Sequence, residues 1–100
     1  MAVVRWSSQA RKDLEAISDY FREASPPYAE RFEEQVFEAT RRLETFPRSG
    51  RMIPESEEDA LREMIYRDYR IMYHVDAADE DVLILTVLHS SRQLGGFGSE

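Results

Sequence analysis

The sequence predicts an α+β fold in the order β-α-α-β-β-β: an N-terminal strand, an antiparallel helical hairpin, and an antiparallel β-sheet that the hairpin packs on. Three observations carry this. The runs Leu61–Tyr66, Tyr69–Val75 and 82–89 are rich in Ile, Val, Leu and Tyr, and only Arg67-Asp68 and the stretch 76–81 separate them. Upstream, apolar residues recur in steps of three and four: Ala10, Leu14, Ile17, Phe21 and Ala24, then Ala29, Phe32, Val36, Ala39, Leu43 and Phe46. That spacing draws one stripe along each of two amphipathic helices. Ser25-Pro26-Pro27 lies between them, a connection so short that the helices must double back.

Taken in order, Val3, Val4 and Trp6 form the first strand, and Ser7 is placed to cap the helix that follows. Leu14, Ile17, Phe32, Val36 and Leu43 line the expected seam of the hairpin. Pro47 and Gly50 stop the second helix, and 51–59 reads as an irregular loop with four acids. Within the middle strand of the meander, Ile71, Tyr73 and Val75 share one face, and Arg70, Met72 and His74 the other. The last strand is apolar on both faces from Val82 to Leu88, which suits an interior position. One domain is expected over 1–94, with the glycine-rich 95–100 as a flexible tail.

Composition narrows the function classes. A chain of 100 residues with 42% hydrophobic and 33% charged residues suits a single globular domain. It contains no cysteine, so disulfides, thiolate nucleophiles and thiolate metal sites are excluded. No apolar run approaches the ~18 residues of a membrane span, and a cytoplasmic location is expected. The net charge of −7 repels phosphate, so direct nucleic-acid binding by the chain as a whole is not expected. Arg62, Arg67, Arg70 and Arg92 nevertheless lie in or beside the strands, where a local basic patch could form.

Three groups of residues resemble the toxins of the ParE/RelE superfamily, from bacterial type II toxin–antitoxin modules. The first is Trp6 with Ala10, Asp13, Leu14 and Ile17; the second is Leu43 with Phe46-Pro47 and Gly50-Arg51. The third is Arg62-Glu63, then Tyr69-Arg70-Ile71, Tyr73 and Val75, then Val82, Ile84-Leu85, Val87, His89 and Arg92. The resemblance implies one of two activities. RelE-like members are ribosome-dependent endoribonucleases that cut mRNA without a metal, whereas ParE-like members inhibit DNA gyrase. The whole-chain pattern looks more like the ParE branch. A cognate antitoxin, ParD-like or another DNA-binding type, is the implied partner in a hetero-oligomer. Apolar anchors around Leu14, Phe21 and the sheet face near Met72 are the expected antitoxin contacts.

On the nuclease reading, Arg62, Arg70, His89 and Arg92 are the catalytic candidates. A guanidinium at Arg70 can grip phosphate with two parallel bonds, and an imidazole at His89 titrates near neutrality. Against this, Arg70 has a structural alternative in an ion pair with Glu63 on the neighbouring strand. RNA cleavage also needs a second proton-transfer group amid dense positive charge. Ser90-Ser91-Arg92-Gln93 provides no such group, and the one lysine, Lys12, lies on a helix. No catalytic residue is therefore assigned, and no cofactor is expected. His74 and His89 lack the further ligands a metal would need. The acidic run 55–59 reads as a solvated loop, and Tyr66, Tyr69 and Tyr73 as packing residues.

Overall fold

The structure, a computed structural model, describes residues 1–92; the expected boundary at 94 and the tail 95–100 lie outside the described residues. The elements are β1 (Val3–Trp6), α1 (Ser8–Ala24), α2 (Pro26–Arg41), a 3-10 turn (Arg42–Glu44), β2 (Arg51–Met52), β3 (Leu61–Tyr66), β4 (Tyr69–Val75) and β5 (Asp81–His89). Ser7 caps α1: its Oγ accepts the Ala10 N–H at 3.0 Å and donates to the Leu85 carbonyl at 3.0 Å. One hydroxyl thus satisfies an orphan helix donor and ties the helix start to β5. Ser25 ends α1 and starts α2, its Oγ accepting the Tyr28 N–H at 3.3 Å.

The strands lie in the order β1-β5-β4-β3-β2. β3, β4 and β5 form the antiparallel meander anticipated from their short connections, with Tyr66 opposite Tyr69 and Tyr69 opposite His89. The fully antiparallel sheet needs correcting, because β1 runs parallel to β5 and the sheet is mixed. A tight turn forces neighbouring strands to oppose each other, and no tight turn joins β1 to β5. β5 is therefore interior, as its two apolar faces require. β2 is an addition: two residues of the expected loop pair with Glu63 and Arg62 at the sheet edge.

The hairpin covers one face of the sheet. Ile71, Tyr73 and Val75 of β4 and Val82, Ile84 and Val87 of β5 meet Leu14, Phe32, Val36 and Leu43 from the helical half. Phe32 centres an aromatic group, its ring 5.1 Å from Phe21 and 5.4 Å from Tyr69, in edge-to-face contact with both. Each buried large side chain contributes about 1.5–3 kcal/mol, so hairpin and sheet stabilise one another. Phe46 departs from its expected place in the stripe and is 60% exposed. The tighter winding of Arg42–Glu44 rotates the residues after it away from the α-helical period.

The face away from the helices is partly covered as well. Ile53 folds back from the loop onto Leu61 and Met72, with Leu85 and Leu88 at the margin of this small cluster. Leu14 and Met72 are both buried, so neither presents a free anchor; Phe21 is half-buried.

Gly50 marks a close approach. Its N–H donates to Tyr73 Oη at 2.9 Å, and a Cβ there would stand 2.4 Å from the Glu63 carbonyl oxygen and 2.5 Å from Tyr73 Oη. Because the Glu63 obstacle is backbone, Gly50→Ala must push β2 away from β3. A loss of about 1–3 kcal/mol in unfolding free energy is expected from urea titration.

Candidate functional site

Strand alternation puts Glu63 and Arg70 on the face away from the helices, and the structure couples them. Arg70 Nε donates to Glu63 Oε1 at 2.7 Å, while Nη1 and Nη2 donate to the two carboxylate oxygens of Glu55 at 2.8 and 2.6 Å. Nη1 also donates to the Arg92 carbonyl at 2.9 Å. The Arg70 side chain is 7% exposed and that of Glu63 0%. Arg51, on β2, approaches the second oxygen of Glu63 with Nε at 2.6 Å and stays largely exposed. Hydrogen bonding to Glu55 raises the Arg70 pKa most; burial opposes this, and Glu63 raises it further. Arg70 is thus a fixed cation with every nitrogen engaged. An open cavity of about 450 Å³ lies against this cluster, with Arg51, Glu55, Arg70, Ser91 and Arg92 among its walls.

His89 lies elsewhere. It pairs with Tyr69, and the next pair along the ladder, Arg70 with Leu88, points to the opposite face. The His89 ring stands 5.5 Å from that of Tyr69, and Nδ1 lies 2.8 Å from Ser91 Oγ. It lines a groove of about 350 Å³ between α1 and β5, with Tyr20, Tyr69 and Arg92. At the groove floor Asp13 accepts the Val87 N–H at 3.1 Å and the Thr86 hydroxyl. These bonds secure α1 to a β-bulge, where Leu85 is the extra residue between the pairs Met72–Thr86 and Tyr73–Ile84. Burial raises the pKa of the Tyr69 phenol.

Arg62 belongs to neither place. Its Nε donates to the Asp59 carbonyl at 2.9 Å and Nη1 to the Gly50 carbonyl at 3.1 Å, while Nη2 meets the Asp59 carboxylate at 2.5 Å. Arg48 joins the same brace, reaching Asp59 at 2.7 Å and Asp79 at 2.7 Å. Asp76, in the β4–β5 turn, accepts the Asp81 and Glu80 N–H groups, which hold its carboxyl below the usual carboxylate range. The four nuclease candidates therefore divide. Arg70 and Arg92 line one cavity, His89 and Arg92 the groove on the other side, and Arg62 serves a loop brace. Among the described residues no group of three acidic, histidine or cysteine side chains is placed to hold a metal ion, and no helix is long and apolar enough to cross a membrane.

Sequence reasoning missed Glu55, Arg51 and Arg48. Glu55 and Asp59 come from the run read as a solvated loop, yet each receives arginine side chains. The one hint was the neighbouring Ile53, an apolar residue too large to leave in a solvated loop.

Two helices on one face of a mixed five-stranded sheet make up the small toxin fold of type II toxin–antitoxin modules. Residues 4–94 match the family model described as the ParE toxin of the type II toxin–antitoxin system parDE, and the chain belongs to that family. It is 36% identical over 93 residues to a protein named Toxin RelE2 from Caulobacter vibrioides, covering 92% of this chain and 99% of the relative. A solved structure titled as the chromosomal ParDE TA system from P. aeruginosa shares the fold, with a TM-score of 0.73 and 23% identity, covering 89% of this chain and 96% of that one. A second, the toxin–antitoxin complex RelBE2 from Mycobacterium tuberculosis, matches with a TM-score of 0.55 and 25% identity over 88% of this chain and 96% of that one.

Proposed function

We propose that this ParE-family toxin acts by binding rather than by cleaving RNA, that its target is DNA gyrase, and that a cognate antitoxin holds it inactive. One observation carries the reading: Arg70, the cation best placed to grip a phosphate, is occupied by Glu55 and Glu63, and His89 points away from it. A general acid that leaves the opposite face of the sheet is poorly placed to serve a scissile phosphate held at Arg70, because proton transfer needs contact within about 3 Å or through one water. The two solved toxin–antitoxin systems that share the fold support an antitoxin partner, which here would lay a helix and an extended segment over hairpin and sheet. Of the three expected anchors, half-buried Phe21 is the one with surface free for a partner, since Leu14 and Met72 are buried.

A second reading, a ribosome-dependent endoribonuclease, is favoured by the name of the 36% identical relative, Toxin RelE2. Two assays separate them. The purified protein should suppress gyrase supercoiling, and His89→Ala should leave growth arrest unchanged. Primer extension showing ribosome-dependent cuts that vanish in His89→Ala would establish the nuclease instead.

A further inference from the structure

We propose that the Arg70 guanidinium is an oxyanion site whose internal occupant, Glu55, is displaced by a carboxylate side chain of a partner protein. Glu55 meets the two terminal nitrogens with its two oxygens, at 2.8 and 2.6 Å, the fork-to-fork pattern of a planar carboxylate. The fork does not depend on Glu55 for its position. Glu63 holds Nε from the adjacent strand, and the Arg92 carbonyl holds Nη1 from the segment just after β5. The donors therefore stay in place when Glu55 leaves.

Three further features suit exchange. The Glu55 side chain is 21% exposed against 7% for Arg70, so a competitor reaches the outer ligand first. The cavity against it is open and about 450 Å³, large enough for an incoming side chain. Arg51 and Arg92 stand exposed at its rim, and removing Glu55 leaves Arg51, Arg70 and Arg92 there with Glu63 as the acidic partner among the described residues. Charge decides between sources of the anion. A body of net charge −7 repels a nucleic-acid strand along its length, whereas one acidic side chain on a protein meets only the local cation cluster. Glu55 itself demonstrates that a carboxylate borne on polypeptide fits.

The test uses Glu55→Gln, which keeps the shape and removes the charge, beside Glu55→Ala. Sodium acetate is the probe, titrated at constant ionic strength against chloride while the arginine side-chain N–H resonances are followed. Both variants should show saturable shifts at Arg70 with a dissociation constant on the order of 10 mM, the range of two charge-assisted bonds to one guanidinium. The wild type should respond at least tenfold more weakly, its site being filled. Arg70→Lys in the Glu55→Gln background should abolish saturation as read at the neighbouring Arg51 and Arg92 resonances, since an ammonium cannot offer the fork. A non-saturating response in folded Glu55→Gln overturns the proposal. Saturation by inorganic phosphate or a short oligouridine but not by acetate also overturns it, and assigns the fork to phosphate. The acetate titration is independent of whether gyrase or the ribosome is the target.

Discussion

Arg70→Ala is expected to lower the unfolding free energy by about 3–5 kcal/mol, a large share of the ~5–15 kcal/mol that stabilises a domain. The cost comes from what is left behind. Glu63 has no exposed side-chain surface and would be left, among the described residues, with Arg51 as its remaining ion-pair partner, while Glu55 would lose its fork. The buried carboxylate loses the donor that offsets most of its desolvation, and that desolvation is then poorly compensated. Arg51→Ala tests the same carboxylate from its solvent side. The Arg51 side chain is 62% exposed, and its removal should cost only about 0–1 kcal/mol. Urea midpoints for the two variants give the comparison directly. Equal losses would show that Arg70 has no special hold on Glu63. A double variant, Glu63→Leu with Arg70→Met, should recover most of the Arg70→Ala loss, because apolar residues of similar volume often replace a buried pair without net cost.

The Arg70–Glu63 coupling was legible from the sequence because strand alternation is a rigid rule. Once β3 and β4 are paired through a two-residue turn, register decides which side chains share a face. Glu55 was not legible, since its position depends on how Ile53 folds back over Met72, a tertiary contact with no periodic signature. The same contact buries Met72, which alternation alone had left on a free face. The direction of β1 escaped for a related reason: a strand joined through a whole helical hairpin carries no local instruction about which neighbour it takes or which way it runs. Asp13 fell between. It was among the residues that carried the family resemblance, but its use as an acceptor for Thr86 and Val87 requires the bulge at Leu85, which nothing in 82–89 announces.

Phe32→Ala should cost about 3–5 kcal/mol, and Phe46→Ala less than about 0.5 kcal/mol, although the two residues lie on one apolar stripe of the sequence. Phe32 is 2% exposed and touches rings from three elements: Phe21 on α1, Tyr66 on β3 and Tyr69 on β4. Truncating it opens a cavity where hairpin and meander meet, and the fixed backbone on both sides limits collapse into the gap. Phe46 sits beyond the 3-10 turn with most of its surface in water, so its truncation removes little buried area. The contrast separates folding from partner binding. A variant that weakens partner capture while keeping the wild-type urea midpoint marks surface, and Phe46→Ala can do so where Phe32→Ala cannot. Equal destabilisation by both would mean that Phe46 packs inward, and that the 3-10 turn does not rotate the stripe out of the core.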